Sequence, residues 1–463
     1  MASEYESVRS KILSGATRRM SLPAIATPLK PISPPPTQPS SISLPTPGSM
    51  IFDSSAPDCS SFISSLAIHV RTLSETRISQ GFLHLHPSPI HDAAEPYLEN
   101  AFGHYNQLTD LFRRIDVNLF NISTFRLEVF LSLLLTRLIH GSTYLSQSGT
   151  DLAATTRICH SIFTGAGITE LNLPHTAGYR SELETITEQG RAAEFATVLR
   201  GRERVVHHTN ALVYFTQNLI ENGELTQDLI KETHRILVKD YETVDNKTWE
   251  QFGGWYRDYR VVPVSQADDI TAAATVEPTQ RPAATVPPDR PTSSIYSATT
   301  PLEERWLDGF HWQRRESVNP AAVGMYMSKL IYSYHAQLAM DHTEVKDSGE
   351  NTVSDPFALT AWLVCEFLHI HPFIVGNEEM SRIILSGVLM KELGIVAVLG
   401  DEKEPGRLEY LGIMERAKER HQGDVEKVAN GGSEEEAYAE FAALIVKKAI
   451  SCAEEVAAMV GSS

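Results

Sequence analysis

A histidine followed at once by proline and phenylalanine, with a Gly-Asn pair close behind, is the passage of this chain best suited to chemistry: His371-Pro372-Phe373-Ile374-Val375-Gly376-Asn377. Pro372 stops a preceding helix, Gly376 permits a tight turn, and Asn377 is placed to cap the helix that follows. A helix–loop–helix of this form aims main-chain N–H groups into the loop. Together with the positive end of the second helix dipole they suit phosphate, and an imidazole at the mouth could deprotonate a hydroxyl attacking that phosphate.

Helices must position this loop, and the apolar spacing supplies them. Asp355-Pro356 has the form of a helix start, with the carboxylate as N-cap and proline at the first position, and Phe357, Ala361, Val364 and Phe367 or Leu368 make one apolar face. After the loop, Met380, Ile383, Ile384 and Val388 point inward. Upstream, Phe120, Phe125, Leu127, Phe130, Leu134, Leu138 and Tyr144 follow three- and four-residue steps and predict a buried helix. Another helix is predicted over Arg204 to Asn222, and Thr226 caps one holding Leu229, Ile230, Thr233 and Leu237. Extended character is confined to Tyr259-Arg260-Val261-Val262-Pro263, after a Gly-Gly pair. The expectation is a mainly α fold with one small β-hairpin.

At 463 residues the chain can bury a sizeable core, and its 42% hydrophobic and 21% charged residues are ordinary for a soluble globular protein. Lys+Arg 40 against Asp+Glu 58 leaves a net charge of -18, which argues against a non-specific nucleic-acid binder. Four cysteines, Cys59, Cys159, Cys365 and Cys452, lie far apart, so a reducing compartment is the simpler reading. Neither a signal peptide nor a membrane span is legible, and cytosol or nucleus is expected. Ser21 to Ser49 is dominated by Pro, Ser and Thr and is expected to be disordered. The Ala/Thr/Pro-rich stretch from about Ala267 to Thr300 reads as a long insertion. The resulting division is a disordered N-terminus over 1–50, a helical region over 51–200, a core over 201–420 and a helical tail over 421–463.

The run from His371 to Arg382 resembles the Fic (Fido) motif, His-Pro-Phe-x-Asp/Glu-Gly-Asn-Gly-Arg-x-x-Arg, matching at His371, Pro372, Phe373, Gly376, Asn377 and Arg382. Passages similar to fungal Fic proteins follow the same order: Val206-His207-His208 through Tyr214, Leu229 to Leu237, Gly254-Trp255-Tyr256-Arg257, Asp355 to Leu359, Gly394-Ile395-Val396 and Glu409-Tyr410-Leu411. The resemblance implies a Fic-type helical bundle with a hairpin flap. It implies transfer of AMP from ATP, with Mg²⁺, to a Ser, Thr or Tyr hydroxyl of a protein target. By the same resemblance His371 is the general base and Phe373 the loop anchor. Gly376, Asn377 and Arg382 handle the nucleotide, and Gly254 to Arg257 leads into the flap that pins the target by strand addition.

Three positions depart from that motif. Val375 stands where the family has the acidic Mg²⁺ ligand, Glu378 replaces a glycine, and Glu379 replaces the arginine that grips the β/γ-phosphates. Placing an anion where a cation met a triphosphate reverses a contact worth roughly a few kcal/mol, and valine offers magnesium no side-chain oxygen. The resemblance extends to an inhibitory helix of the form Ser/Thr-x-x-x-Glu-Gly/Asn. At its matching place Ser142 survives and Ser146 stands where the glutamate would be, with its arginine partner expected at position 379. Glu188 in Thr187-Glu188-Gln189-Gly190 is a second candidate for that carboxylate.

Plainer roles stand beside these. His371 could be a helix C-terminal histidine on terminal carbonyls, and Glu378 and Glu379 could simply favour the positive end of their helix, Glu378 pairing with Arg382 four residues on. His369 and His371, two residues apart, share no helix face and lack a spaced third ligand, so no metal site is expected. Glu434-Glu435-Glu436 reads as a solvated helix start, and Cys159 and Cys365 as inert buried thiols. The two functional readings are a pseudoenzyme or binding module with degraded nucleotide handling, and an active transferase with an altered donor or metal. A protein target is the expected partner, and a homodimer is open.

Overall fold

The computed structural model describes residues 61–85, 100–166, 168, 178–241, 248–257, 318–348, 352–353, 355–400, 404–429 and 438–461. All lie in one compact unit, Ser55–Ser463. The Pro/Ser-rich N-terminus, the extended passage Tyr259 to Pro263 with its expected hairpin flap, the insertion 267–300 and Glu434 to Glu436 fall outside the described residues.

Among those residues there are thirteen α-helices. They are α1 (Phe62–Ser79), α2 (Ala101–Leu119), α3 (Thr124–Leu145), α4 (Leu152–Phe163), α5 (Tyr179–Glu188), α6 (Phe195–Asn222) and α7 (Gln227–Leu237). After the short α8 (Trp249–Phe252) come α9 (Val323–Ser348), α10 (Pro356–Ile370), α11 (Asn377–Leu393), α12 (Glu404–Ala429) and α13 (Ala439–Gly461). The strands described, β1 (His84–Leu85) and β2 (Thr352–Val353), pair in parallel and are no hairpin.

The fold is all-α because the helix-period patterns have somewhere to bury. The long α6 packs on α4, α7 and α11; α10 lies against α11 and α13; α13 runs along α2. Leu212, Phe215, Phe357, Phe367, Phe373, Ile383 and Ile384 are buried where these helices meet, in the core beneath the loop. Local signals set the helix ends as expected. The Thr226 hydroxyl accepts the Leu229 N–H at 3.1 Å, and the Asp355 carboxylate accepts the N–H groups of Phe357 and Ala358 at 3.1 and 3.0 Å, with Pro356 at the first position.

Two expectations about elements are corrected. Helix α6 begins nine residues before Arg204, at Phe195. The run from Phe120 to Tyr144 is not one helix: the chain breaks after Leu119, and Ser123 caps α3 by accepting the Arg126 N–H at 3.2 Å. The buried face of α3 is Leu127, Leu131, Leu134 and Leu138, while Phe125 is 74% exposed. At about 100° per residue, Phe125 sits on the side of the helix opposite Leu127.

Candidate functional site

Helix α10 ends at Ile370, and His371 takes the left-handed conformation at φ 48°, its N–H donating to the Phe367 carbonyl at 3.0 Å. Proline next in sequence prevents the helix from continuing. Phe373 is fully buried, its ring stacked on the His234 imidazole at 3.6 Å between centroids and 3° between planes. Gly376 turns the chain at φ 75° and is itself the N-cap of α11. A side chain there would meet Val238 at 3.1 Å as well as the strained backbone.

The expected capping role of Asn377 is therefore corrected. Asn377 is the first helical residue, and its amide bridges the loop: Oδ1 accepts the Phe373 N–H at 3.0 Å and Nδ2 donates to the Phe373 carbonyl at 2.9 Å. Its side chain is engaged in closing the turn, which leaves main-chain N–H groups as what this part of the loop can offer an anion.

Two residues hold the loop from outside, neither of them expected there: His234, and Arg257 of the passage expected to lead into the flap. His234 on α7 bonds the Val375 carbonyl through Nε2 at 2.9 Å and accepts the Gly254 N–H at Nδ1 at 3.0 Å, which fixes its tautomer with the proton on Nε2. Burial lowers its pKa to about 4, so it is neutral. The Arg257 guanidinium donates to the carbonyls of His371 at 2.6 Å and Ile370 at 3.1 Å and to that of Val318, while its N–H reaches the Pro372 carbonyl at 2.8 Å. Those of Ile370, His371 and Pro372 are the orphan carbonyls at the end of α10 and in the turn. The only sequence signal for either residue was its position inside a family-like passage.

Arg382 is buried one turn into α11. Its Nε donates to the Ser142 hydroxyl at 2.7 Å and its Nη2 to the Ser142 carbonyl at 3.0 Å and to the Ser146 hydroxyl. The structure thus brings Ser142, Ser146 and Arg382 together across more than two hundred residues. It corrects the pairing expected for position 379: the arginine that meets the end of α3 is Arg382, which the chain retains. Next to Ser142, Gly141 lets α3 lie against the segment that follows α11, because a Cβ there would lie 2.2 Å from the Leu399 carbonyl oxygen. Glu188, the second candidate, is exposed at the last residue of α5.

Glu378 and Glu379 occupy the first turn of α11, where carboxylates suit the helix dipole. Burial pushes the Glu378 carboxyl up to about 7 against the opposing pull of Arg382. Glu379 is also pushed up by burial, but Arg382, its own backbone N–H, Arg204 and His208 outweigh that, and its pKa is lowered. The charges of Arg382 and Arg204 therefore favour the ionised form of this carboxylate in the first turn of α11. His208 on α6 is buried and lowered to about 4 by burial and by Arg382. The expected Glu378–Arg382 interaction survives as mutual electrostatic influence, while the Nε and Nη2 hydrogen bonds of Arg382 go to the serines.

The residues at this loop differ from the motif at the positions it uses for magnesium and the β/γ-phosphates. Val375 supplies only its carbonyl, and His234 already holds that oxygen. The cation expected at position 379 is an anion, and Arg382 is turned into the protein. Among the described residues no group of three or more His, Cys, Asp or Glu could hold a metal ion. His369 packs on His421 at 3.7 Å between ring centroids. Cys159 and Cys365 have thiol pKa values raised by burial, as expected of inert thiols. Among the described residues no helix is long and apolar enough to cross a membrane.

Comparison with known proteins adds the following. No family model matches the chain. A Fido domain-containing protein of Dictyostelium discoideum is 53% identical over 38 residues, covering 8% of this chain and 27% of that protein, so the chain spans about a quarter of that relative's length. A solved structure, a Fic domain containing signaling protein from Bacteroides thetaiotaomicron, aligns over 77% of this chain and 97% of that one, with a TM-score of 0.43 and 17% identity.

Fold and site together describe an all-α protein in which one helix ends at a left-handed histidine and the next begins after Gly376. Six motif residues stand in register and a short stretch matches a Fido domain protein, so the chain resembles the Fic/Fido domain family.

Proposed function

We propose that this chain is a Fic-fold pseudoenzyme, a binding module whose loop keeps the family's shape and its histidine but no longer handles a magnesium nucleotide. The observation that carries this reading is Glu379. It lies in the first turn of α11, and Arg382 and Arg204 hold its carboxyl below the usual range, so an internal anion competes for the helix end that suits a phosphate. Val375 and Glu378 support it, the first offering no side-chain oxygen and the second adding a carboxyl beside the same arginine.

A thermal-shift titration with ATP and Mg²⁺ tests it. Wild type is expected to show no rise in melting temperature, whereas Glu379→Arg combined with Glu378→Gly and Val375→Asp gives one. A clear rise in wild type overturns the reading.

A second reading, an active nucleotidyl- or phosphoryl-transferase with another donor or metal arrangement, is favoured by one observation. His371 is held at the end of α10 by Arg257 and remains partly exposed. Incubation of wild type and His371→Ala with labelled nucleotides and cell lysate separates the two. Transfer that depends on His371 supports the second reading, and no transfer supports the first.

A further inference from the structure

We propose that this chain holds an arginine-bearing, extended segment of a partner protein in a groove between α6 and α7, with Trp255 as the shelf on which a guanidinium lies. The groove, of about 630 Å³, is walled by Tyr214, Asn218 and Asn222 of α6, by Asp228 and Glu232 of α7, and by Trp255. Trp255 is 68% exposed and follows Gly254, whose φ is 76° and where a Cβ would lie 3.0 Å from the Lys231 carbonyl oxygen. That close approach sets the indole beside α7. Asp228, Glu232 and Arg235 lie roughly 100–160° around α7 from His234, which holds the loop, so the groove opens on the far side of that helix from His371. The site is therefore separate from the loop and does not depend on whether His371 catalyses.

The chemistry of the groove selects a cation. Its own cations are already engaged: Arg235 Nε donates to both Glu232 carboxylate oxygens at 3.0 and 2.9 Å, and Lys231 Nζ lies 4.6 Å from the centre of the Tyr256 ring. Glu224 and Asp228, which line the same groove, have no hydrogen-bond or ion-pair partner among the described residues. Two open carboxylates beside an exposed indole are complementary to a guanidinium, which stacks on aromatic faces and forks to carboxylates. Lysine, a strongly hydrated point charge, gains less from either contact.

Length and net charge select the rest of the occupant. From Tyr214 to Asn222 the α6 wall runs about 12 Å, room for about four residues of extended chain and more than one guanidinium needs. The net charge of -18 draws basic partners from a distance and repels both a nucleic acid and a second copy of this chain.

Fluorescence anisotropy of the full chain with a fluorescein-labelled hexapeptide of alternating Arg and Ser tests the proposal. Wild type is expected to bind this peptide, to bind it several-fold more weakly with Lys in place of Arg, and to show no binding with Glu in place of Arg. Trp255→Ala, and the pair Glu224→Gln with Asp228→Asn, should each weaken binding about tenfold or more. All three side chains are exposed, so the helical circular dichroism should stay unchanged. The pair Glu184→Gln with Glu194→Gln removes the same charge from exposed positions on α5 and at the N-cap of α6, outside the groove, and should leave the affinity as it is. The proposal is overturned by no binding up to the millimolar range, by equal binding of the Arg and Glu peptides, or by Trp255→Ala binding like wild type. Equal loss in both glutamate pairs, or displacement by spermine as readily as by unlabelled peptide, overturns it as well.

Discussion

Asn377 and Arg382 show how a motif residue can be kept while its surroundings set its use. Both ends of the Asn377 amide bond the Phe373 backbone inside the core. Replacing it with alanine strands a buried donor and a buried acceptor at once, each worth about 1–3 kcal/mol. Asn377→Ala is therefore expected to lose about 2–4 kcal/mol in urea unfolding, and a loss within experimental error would contradict the clamp. Arg382 lies between Glu378, Glu379 and the serines of α3. Removing a buried cation from beside carboxylates leaves charge uncompensated, so Arg382→Met should cost about 3–5 kcal/mol, read from thermal melting. Neither partner set was legible in sequence, because a side chain's hydrogen bonds depend on residues that packing alone brings near.

At the scale of elements, α3 and the segment that follows α11 meet where a glycine allows it. Gly141→Ala would put a methyl group 2.2 Å from the Leu399 carbonyl oxygen and 2.6 Å from that of Gly400. Pushing α3 outward is expected to cost about 1–3 kcal/mol and to break the Ser142–Arg382 hydrogen bond. A melting temperature equal to that of wild type would show that the contact yields without strain. The ends of α7 and α10 were readable because caps and prolines act within a few residues of themselves. The phase of α3 was not, since six apolar residues at loose three- and four-residue steps fit more than one helix face. Phe125 was placed inside on pattern and stands outside in fact.

Across the whole molecule, the buried histidines tie stability to pH. His208 on α6, His234 on α7 and His369 on α10 are each lowered by burial to about 4, against 6.5 for a free imidazole. Between those values the unfolded chain binds more protons than the folded one, so stability falls as pH falls. It is complete above about pH 6.5, declines toward pH 4, and gains no further loss from these groups below that. Each fully displaced histidine contributes about 1.4 kcal/mol per pH unit inside the window. Melting curves from pH 7.5 to 4.5 are expected to show a steady fall in midpoint, and a flat profile would mean that these imidazoles are hydrated.

Sequence alone was enough for the helices at their periods, the turn from His371 to Gly376, and the resemblance to the Fic motif that six residues in register carry. Those features are local, encoded in φ preferences, caps and apolar spacing within a dozen residues. Tertiary structure alone decided that His234 and Arg257 hold the loop, that Arg382 turns to Ser142 and Ser146, and that Glu379 sits among arginines. Each of those pairings except Glu379 with Arg382 joins residues more than a hundred positions apart. Burial strengthens the charges involved and shifts the titrations of His234, Glu378 and Glu379, and no local pattern records either effect.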